Sequence, residues 1–302
     1  MSNFDPHNLL LPLHSQLKDL YRGVIESTPG LKWDQVIDAG YLPRLKKILK
    51  GILDLDVISV PRYLRLNFPP GGATLVTFSD GGLMGATQRS FLVSSPLPDG
   101  RHEVHMLGSS HKILRDEQGS APKAEVTGLL MASRAQVHCL KTLSDLNITR
   151  FIIASDSEVA LNLTAGFSNA LLSWFSPRIA EIQTNLRLAE SSLYFIPGTQ
   201  NPADISTKFI SLDILKSPHY WKTSFLEHPE ANWPMSPYQP KTVDSAMLKK
   251  GFRIIGKSSQ IDANSEPFQQ ILGYSYSFRK VKNILGAVLF FKYGPQAYIK
   301  AQ

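Results

Sequence analysis

Cysteine is almost absent: Cys139 is the only one in 302 residues. That excludes an intramolecular disulfide and a cysteine-rich zinc centre. Long apolar runs are missing as well. The most apolar stretch, Ile284 to Phe291, is far too short to cross a bilayer. The N-terminus, MSNFDPHNLLLPLHSQLKDLY, lacks the basic start and apolar run of a secretion signal. No membrane is expected, and the chain reads as soluble and intracellular. No internal repeat or low-complexity segment is visible.

What is present is enough for a sizeable core: 43% hydrophobic against 19% charged residues. The length suggests one to three domains. The net charge of +7 is unevenly spread. Residues 1–72 hold 9 Lys/Arg against 7 Asp/Glu, residues 73–212 hold 11 against 12, and residues 213–302 hold 12 against 6. A basic tail beside a near-neutral middle suits a polyanion such as nucleic acid, though a plain solvated surface has the same composition. Lys249, Lys250, Arg253 and Lys257, then Arg279, Lys280 and Lys282, are the candidate phosphate contacts.

Residues 1–72 read as a helical module, with Leu17, Leu20, Tyr21 and Val24, and later Leu45, Ile48, Leu49 and Ile52, at helical spacing. Pro70-Gly71 closes it. In residues 73–212, Thr74–Phe78, Gln88–Val93 and Glu103–Leu107 read as three strands of a meander. Ser120 and Pro122 open a long helix, and Phe151–Ala154 is a strand covered on both faces. Further helices run from Val159 and from about Leu171 to Leu188. Leu193–Ile196 is a fifth strand, and Asn201-Pro202 opens a last short helix. The order β-β-β-α-β-α-α-β-α predicts an α/β fold, a mixed five-stranded sheet with flanking helices. Residues 213–302 are expected as a basic linker or tail, helical from about Phe278 to Phe291.

Four acids occupy related places in this order. Asp80 is expected at the end of the first strand and Asp156 at the end of the fourth. Glu125 and Asp204 are expected in the first turns of the long and the last helix. In an α/β sheet, ligands gather at the carboxyl ends of adjacent strands. Four carboxylates crowded there repel one another unless divalent cations neutralise them. Hard oxygen donors select Mg²⁺ or Mn²⁺, and two such ions about 4 Å apart can serve both sides of a phosphoryl displacement. Each acid also has an ordinary reading. Asp80 before Gly-Gly can be a turn residue, Asp156 a helix cap, and Glu125 and Asp204 acids favoured by helix dipoles.

The segments LVTFSDGGLMGA, APKAEVTGLLMASR, FIIASDSEVAL and FIPGTQNPADISTK resemble the four active-site motifs of RNase H domains in retroelement reverse transcriptases. SPHYWKTSFLEHPEANWP is similar to the segment following RNase H in BEL/Pao-type retrotransposon polyproteins, and DLDVISVPRYLRL to their link between polymerase and RNase H. This resemblance implies an endoribonuclease acting on the RNA strand of RNA–DNA hybrids. Asp80 would bridge two Mg²⁺ (or Mn²⁺) ions, Glu125 and Asp156 would share them, and Asp204 would hold the second. The hybrid's 2′-hydroxyls would mark the RNA strand. It also implies other parts of a retroelement polyprotein as partners, and a cytoplasmic virus-like particle or the nucleus as location. The family's histidine before the last acid has no counterpart around Tyr194-Phe195-Ile196. No polymerase Asp-Asp pair and no integrase His/Cys module is visible, so the chain is expected to lie between those domains.

The alternative is an inactive or host-derived RNase H-fold protein that binds nucleic acid without cutting it. A transposase would place its third acid on a helix after the fifth strand, and a proofreading exonuclease would place a Glu where Gly82 stands. Among the remaining residues, His102, His105 and His111 are expected as exposed strand histidines, Cys139 as core, and Trp174 and Phe175 as packing residues.

Overall fold

The computed structural model describes residues 5, 7–30, 35–55, 72–82, 85–114, 120–165, 173–206 and 211–240. The candidate phosphate contacts, the helix expected from Phe278 and the Pro70-Gly71 break all lie outside them. None of the described helices is long and apolar enough to cross a membrane.

Three strands, β1 (Ala73–Gly82), β2 (Gly85–Ser94) and β3 (Val104–Lys112), form an antiparallel meander. The long helix α3 (Ala121–Thr142) then leads to β4 (Ile148–Ser155), which lies parallel to β1. After α4 (Glu158–Ala165) and α5 (Ser176–Leu188), β5 (Ser192–Phe195) extends the sheet parallel to β4. The mixed α/β sheet expected from the strand pattern is therefore present, in the order β3-β2-β1-β4-β5. It gains a sixth strand, β6 (Ser236–Pro237), paired antiparallel with β5. Two residues containing a proline carry no strand signal, which is why the sequence implies five.

Alternation along the central strands sorts their side chains between two cores. Val76 and Phe78 of β1, with Ile152 and Ala154 of β4, face one cluster that also contains Leu226 and Trp233. Ile153 faces the other, built from Val126, Leu129, Ile179 and Ile182 of α3 and α5. The stretch from Leu212 to Tyr238, expected as the start of a basic tail, thus packs onto the sheet. It covers the face opposite α3, by way of α6 (Pro218–Lys222) and the turns that carry Leu226 and Trp233. Its aromatic and aliphatic residues are widely spaced among prolines, so no periodicity announces this.

The N-terminal helices α1 (Leu11–Ser27) and α2 (Leu42–Leu53) share a small core of Leu13, Leu20 and Ile48, closed by Leu212. The chain before α1 runs along the sheet edge, where the Ser109 amide donates to the His7 carbonyl at 2.9 Å. A side chain at Gly108 would meet that carbonyl at 2.9 Å. Covering β3 in this way removes an exposed strand edge that would otherwise invite association.

The three histidines are not exposed. His111 is buried, His105 lies 3.3 Å from Glu103, and His102 bonds the Ser94 carbonyl and packs on Trp233. The N-terminal segment and the 212–238 segment cover strands that would be open in a bare meander. Cys139 is half-buried beside Leu75 and Phe151, and Phe175 is buried in the α3–α5 core.

Candidate active site

The parallel register of β1 and β4 pairs Ser79 with Ser155. Asp80 and Asp156 follow as the next residues, so two adjacent parallel strands present acids at one sheet edge. Asp80 lies inside β1, which continues to Gly82 and pairs there with Gly85. The expected strand end at Asp80 is therefore two residues early, and the turn reading of Asp80 falls with it. The cap reading of Asp156 falls too, because the Ser157 hydroxyl accepts from the Ala160 amide at 3.2 Å and caps α4.

Glu125 arrives from the other face of the sheet. It stands at the fifth position of α3, and the first turn of that helix holds no acid. The helix-dipole explanation, which operates within the first turn, does not apply to it. Two glycines bring it close. A Cβ on Gly81 would lie 2.2 Å from the Glu125 nitrogen, and one on Gly128 would lie 2.5 Å from the Asp80 carbonyl oxygen. Helix and strand therefore touch backbone to backbone, an approach no side chain permits.

Asp80, Glu125 and Asp156 each offer a carboxylate oxygen within 4.8 Å of the others. Asp80 is buried and the other two are half-buried. Burial, then the charges of Asp80 and Asp156, push the Glu125 carboxyl up to about 9 against a backbone bond from Gly81, and Asp204 adds to the rise. Its Oε2 is buried and has no hydrogen-bond partner among the described residues. An orphaned acid oxygen between two further carboxylates, all hard donors, fits a divalent cation.

Asp204 is not in that tight group, but its charge acts on Glu125. It sits in the first turn of a short 3-10 turn, Pro202–Ser206, rather than an α-helix. Asn201 opens this turn as expected, its Oδ1 accepting from the Ala203 amide at 3.0 Å. The same side chain does more than cap. Its Nδ2 donates to the Ser79 carbonyl at 2.9 Å and to Asp156 Oδ1 at 3.0 Å, tying the Asp204 turn to both acid-bearing strands. The capping signature hid that second role.

Beside Asp204 lies a cavity of about 470 Å³ lined by Asn201, Asp204, His219, Ser224, Phe225 and Asn232. His219 Nδ1 lies 3.1 Å from the Ser224 hydroxyl. A histidine from a segment downstream of Asp204 thus lines the same cavity as this acid, while the stretch before Asp204 holds none.

The family described as Pao retrotransposon-like RNaseH-like domain matches residues 1–157. That stretch contains Asp80, Glu125 and Asp156 and ends one residue after the last of these. Among solved structures, the N-terminal RNase H domain of a Mycobacterium tuberculosis protein is 15% identical, covering 45% of this chain and 94% of its own, with a TM-score of 0.32. LC11-RNase H1, isolated from compost by a metagenomic approach, is 18% identical over 48% of this chain and 99% of its own, with a TM-score of 0.34. RNase H1 from the archaeon Halobacterium salinarum is 18% identical over 43% and 92%, with a TM-score of 0.26. No curated protein matches. The family match covers more than half of the 302 residues, and the chain belongs to the Pao retrotransposon-like RNaseH-like domain family.

Proposed function

We propose that this chain is a divalent-metal-dependent nuclease that hydrolyses the RNA strand of RNA–DNA hybrids within a retrotransposon polyprotein. The observation that carries the reading is Glu125, an acid whose buried Oε2 has no partner among the described residues while Asp80 and Asp156 crowd it within 4.8 Å. Such a cluster is self-repelling without a cation. Asp80, Glu125 and Asp156 would hold a first Mg²⁺ or Mn²⁺ ion, and Asp204 would contribute to a second. When bound, the ions would supply the positive charge that activates water and stabilises the leaving oxygen of a phosphodiester.

The chain's own residues do the remaining work. Backbone contact at Gly81 and Gly128 fixes the spacing of Asp80 and Glu125. Asn201 orients Asp156 and anchors the Asp204 turn. The cavity beside Asp204, with Phe225 and His219 in its wall, has room for a nucleotide flanking the scissile phosphate.

Cleavage of a labelled RNA–DNA hybrid with Mg²⁺ or Mn²⁺ tests this, comparing wild type with Asp80→Asn and Asp156→Asn. Wild type should cut the RNA strand and both variants should be inert. An inert wild type, or equal cutting by all three, would overturn the proposal and leave a fold that binds nucleic acid without cleaving it.

A further inference from the structure

We infer that Arg89 is a positioning residue for Asp204: from β2 it holds the turn that carries this carboxylate, and so sets how tightly a cation binds there. The inference rests on the metal-dependent reading above.

Arg89 lies in the middle of β2 and is fully buried. Arginine is almost never fully buried unless paired, and its guanidinium stays protonated. Yet no carboxylate among the described residues pairs with it. Its partners are main-chain carbonyls on two other segments: Nη1 donates to the Pro202 carbonyl at 3.0 Å and Nη2 to the Tyr220 carbonyl at 2.6 Å. Met106 Sδ lies 3.4 Å from Nη2. The Tyr220 and Phe91 ring centroids lie 4.3 Å and 5.2 Å from its Cζ. Nε has no partner among the described residues.

Burying a cation without an anion is costly, so the placement needs a reason beyond packing, and the two carbonyls supply it. The guanidinium is a planar fork of fixed geometry, and its two prongs hold Pro202 and Tyr220 at one spacing. Pro202 is two residues before Asp204 in the same short turn. Asn201 ties the start of that turn to β1 and β4, and Arg89 ties its next residue to β2. Tyr220 in turn donates its hydroxyl to the Leu9 carbonyl at 2.6 Å. The segment after the fifth strand is thus part of the scaffold on which the fourth acid rests. A lysine, as a point charge on a flexible stem, cannot span both carbonyls.

The test is Mn²⁺ binding to the full chain without nucleic acid, followed by electron paramagnetic resonance and calorimetry. Asp80→Asn should weaken binding strongly; if it does not, the carboxylate reading fails and this inference with it. Given that loss, Asp204→Asn defines the share of binding that depends on Asp204. Arg89→Lys should lower that share about tenfold or more, and Arg89→Lys combined with Asp204→Asn should bind no worse than Asp204→Asn alone.

Leu226→Ala, which loosens the core of the same segment without touching Arg89, should lower the melting temperature and leave Mn²⁺ affinity unchanged. Arg89→Met should match Arg89→Lys; if it does not fold, the lysine variant decides alone. Wild-type affinity in Arg89→Lys, additive losses in the double variant, or an equal loss in Leu226→Ala would each overturn the inference while leaving the carboxylate reading intact.

Discussion

Replacing Gly128 by alanine adds one methyl group where α3 lies against β1. That Cβ would sit 2.5 Å from the Asp80 carbonyl oxygen and 3.1 Å from its carbonyl carbon. Ordinary contact needs about 3.5 Å, so helix and strand must part by roughly 1 Å. Overpacking of this kind costs about 1–3 kcal/mol, while alanine in a helix interior recovers about 1 kcal/mol relative to glycine. The net loss of stability is therefore small, roughly 0–2 kcal/mol. The site is less forgiving. Coordination at about 2.0–2.1 Å leaves little slack for Mg²⁺, and a displacement of about 1 Å can cost on the order of a hundredfold in activity. Gly128→Ala should thus melt within a few degrees of wild type yet lose most Mn²⁺ affinity and hybrid cleavage. Differential scanning calorimetry and Mn²⁺ titration on the same preparation separate the two effects. A variant that binds and cleaves as well as wild type would refute the claim that this backbone contact sets the spacing of Asp80 and Glu125.

Three further outcomes follow from the packing and the charges. Glu125 carries a carboxyl raised from 4.5 to about 9 in the ion-free fold. Its stabilising contribution is therefore complete below pH 4.5 and drains away as pH rises through 9. Chemical denaturation of the chelated protein should show stability falling over that window. Glu125→Gln, or added Mn²⁺, should flatten the decline, and a profile unchanged by Glu125→Gln would count against the crowding of the acids. Trp233→Ala should destabilise the protein by about 3 kcal/mol, the low end of such losses, because Trp233 lies in the main cluster under the sheet. An unchanged denaturation midpoint would mean that the 212–238 segment is not part of the cooperative unit. Cys139, with its thiol pushed up to about 11 by burial, should react slowly with iodoacetamide at pH 8 and quickly once unfolded. Fast labelling of the native chain would contradict its burial.

Much of the site was legible because its signals are local. The strand expected at Thr74–Phe78 before Asp80, the strand expected at Phe151–Ala154 before Asp156, and the Asn-Pro start of the last turn each declare themselves within about ten residues. Each fixes where an acid stands relative to its own element. The mixed sheet followed from the same periodicity. Three errors of detail share one cause. The first strand runs on to Gly82, Glu125 lies beyond the first helical turn, and the last helix is a 3-10 turn. Element ends depend on partners that are distant in sequence, such as Gly85 opposite Gly82.

Arg89 and His219 were invisible for a stronger reason. An arginine among Gln88, Ser90 and Phe91 reads as an exposed strand residue until Tyr220 and Pro202 close over it. His219 reads as one more polar residue in a proline-rich stretch until that stretch folds back to line one cavity with Asp204.

Period and punctuation along the chain determined the element order, the sheet class and the identity of the acids, because backbone preference and one-sided burial act over a few neighbouring residues. Only the tertiary structure decided that three of those acids come within 4.8 Å, that glycines at 81 and 128 let helix meet strand, and that residues 212–238 close the second face. Those outcomes depend on contacts between segments far apart in the chain, such as Arg89 with Tyr220, 131 residues on, and no local pattern encodes which distant surface will be met.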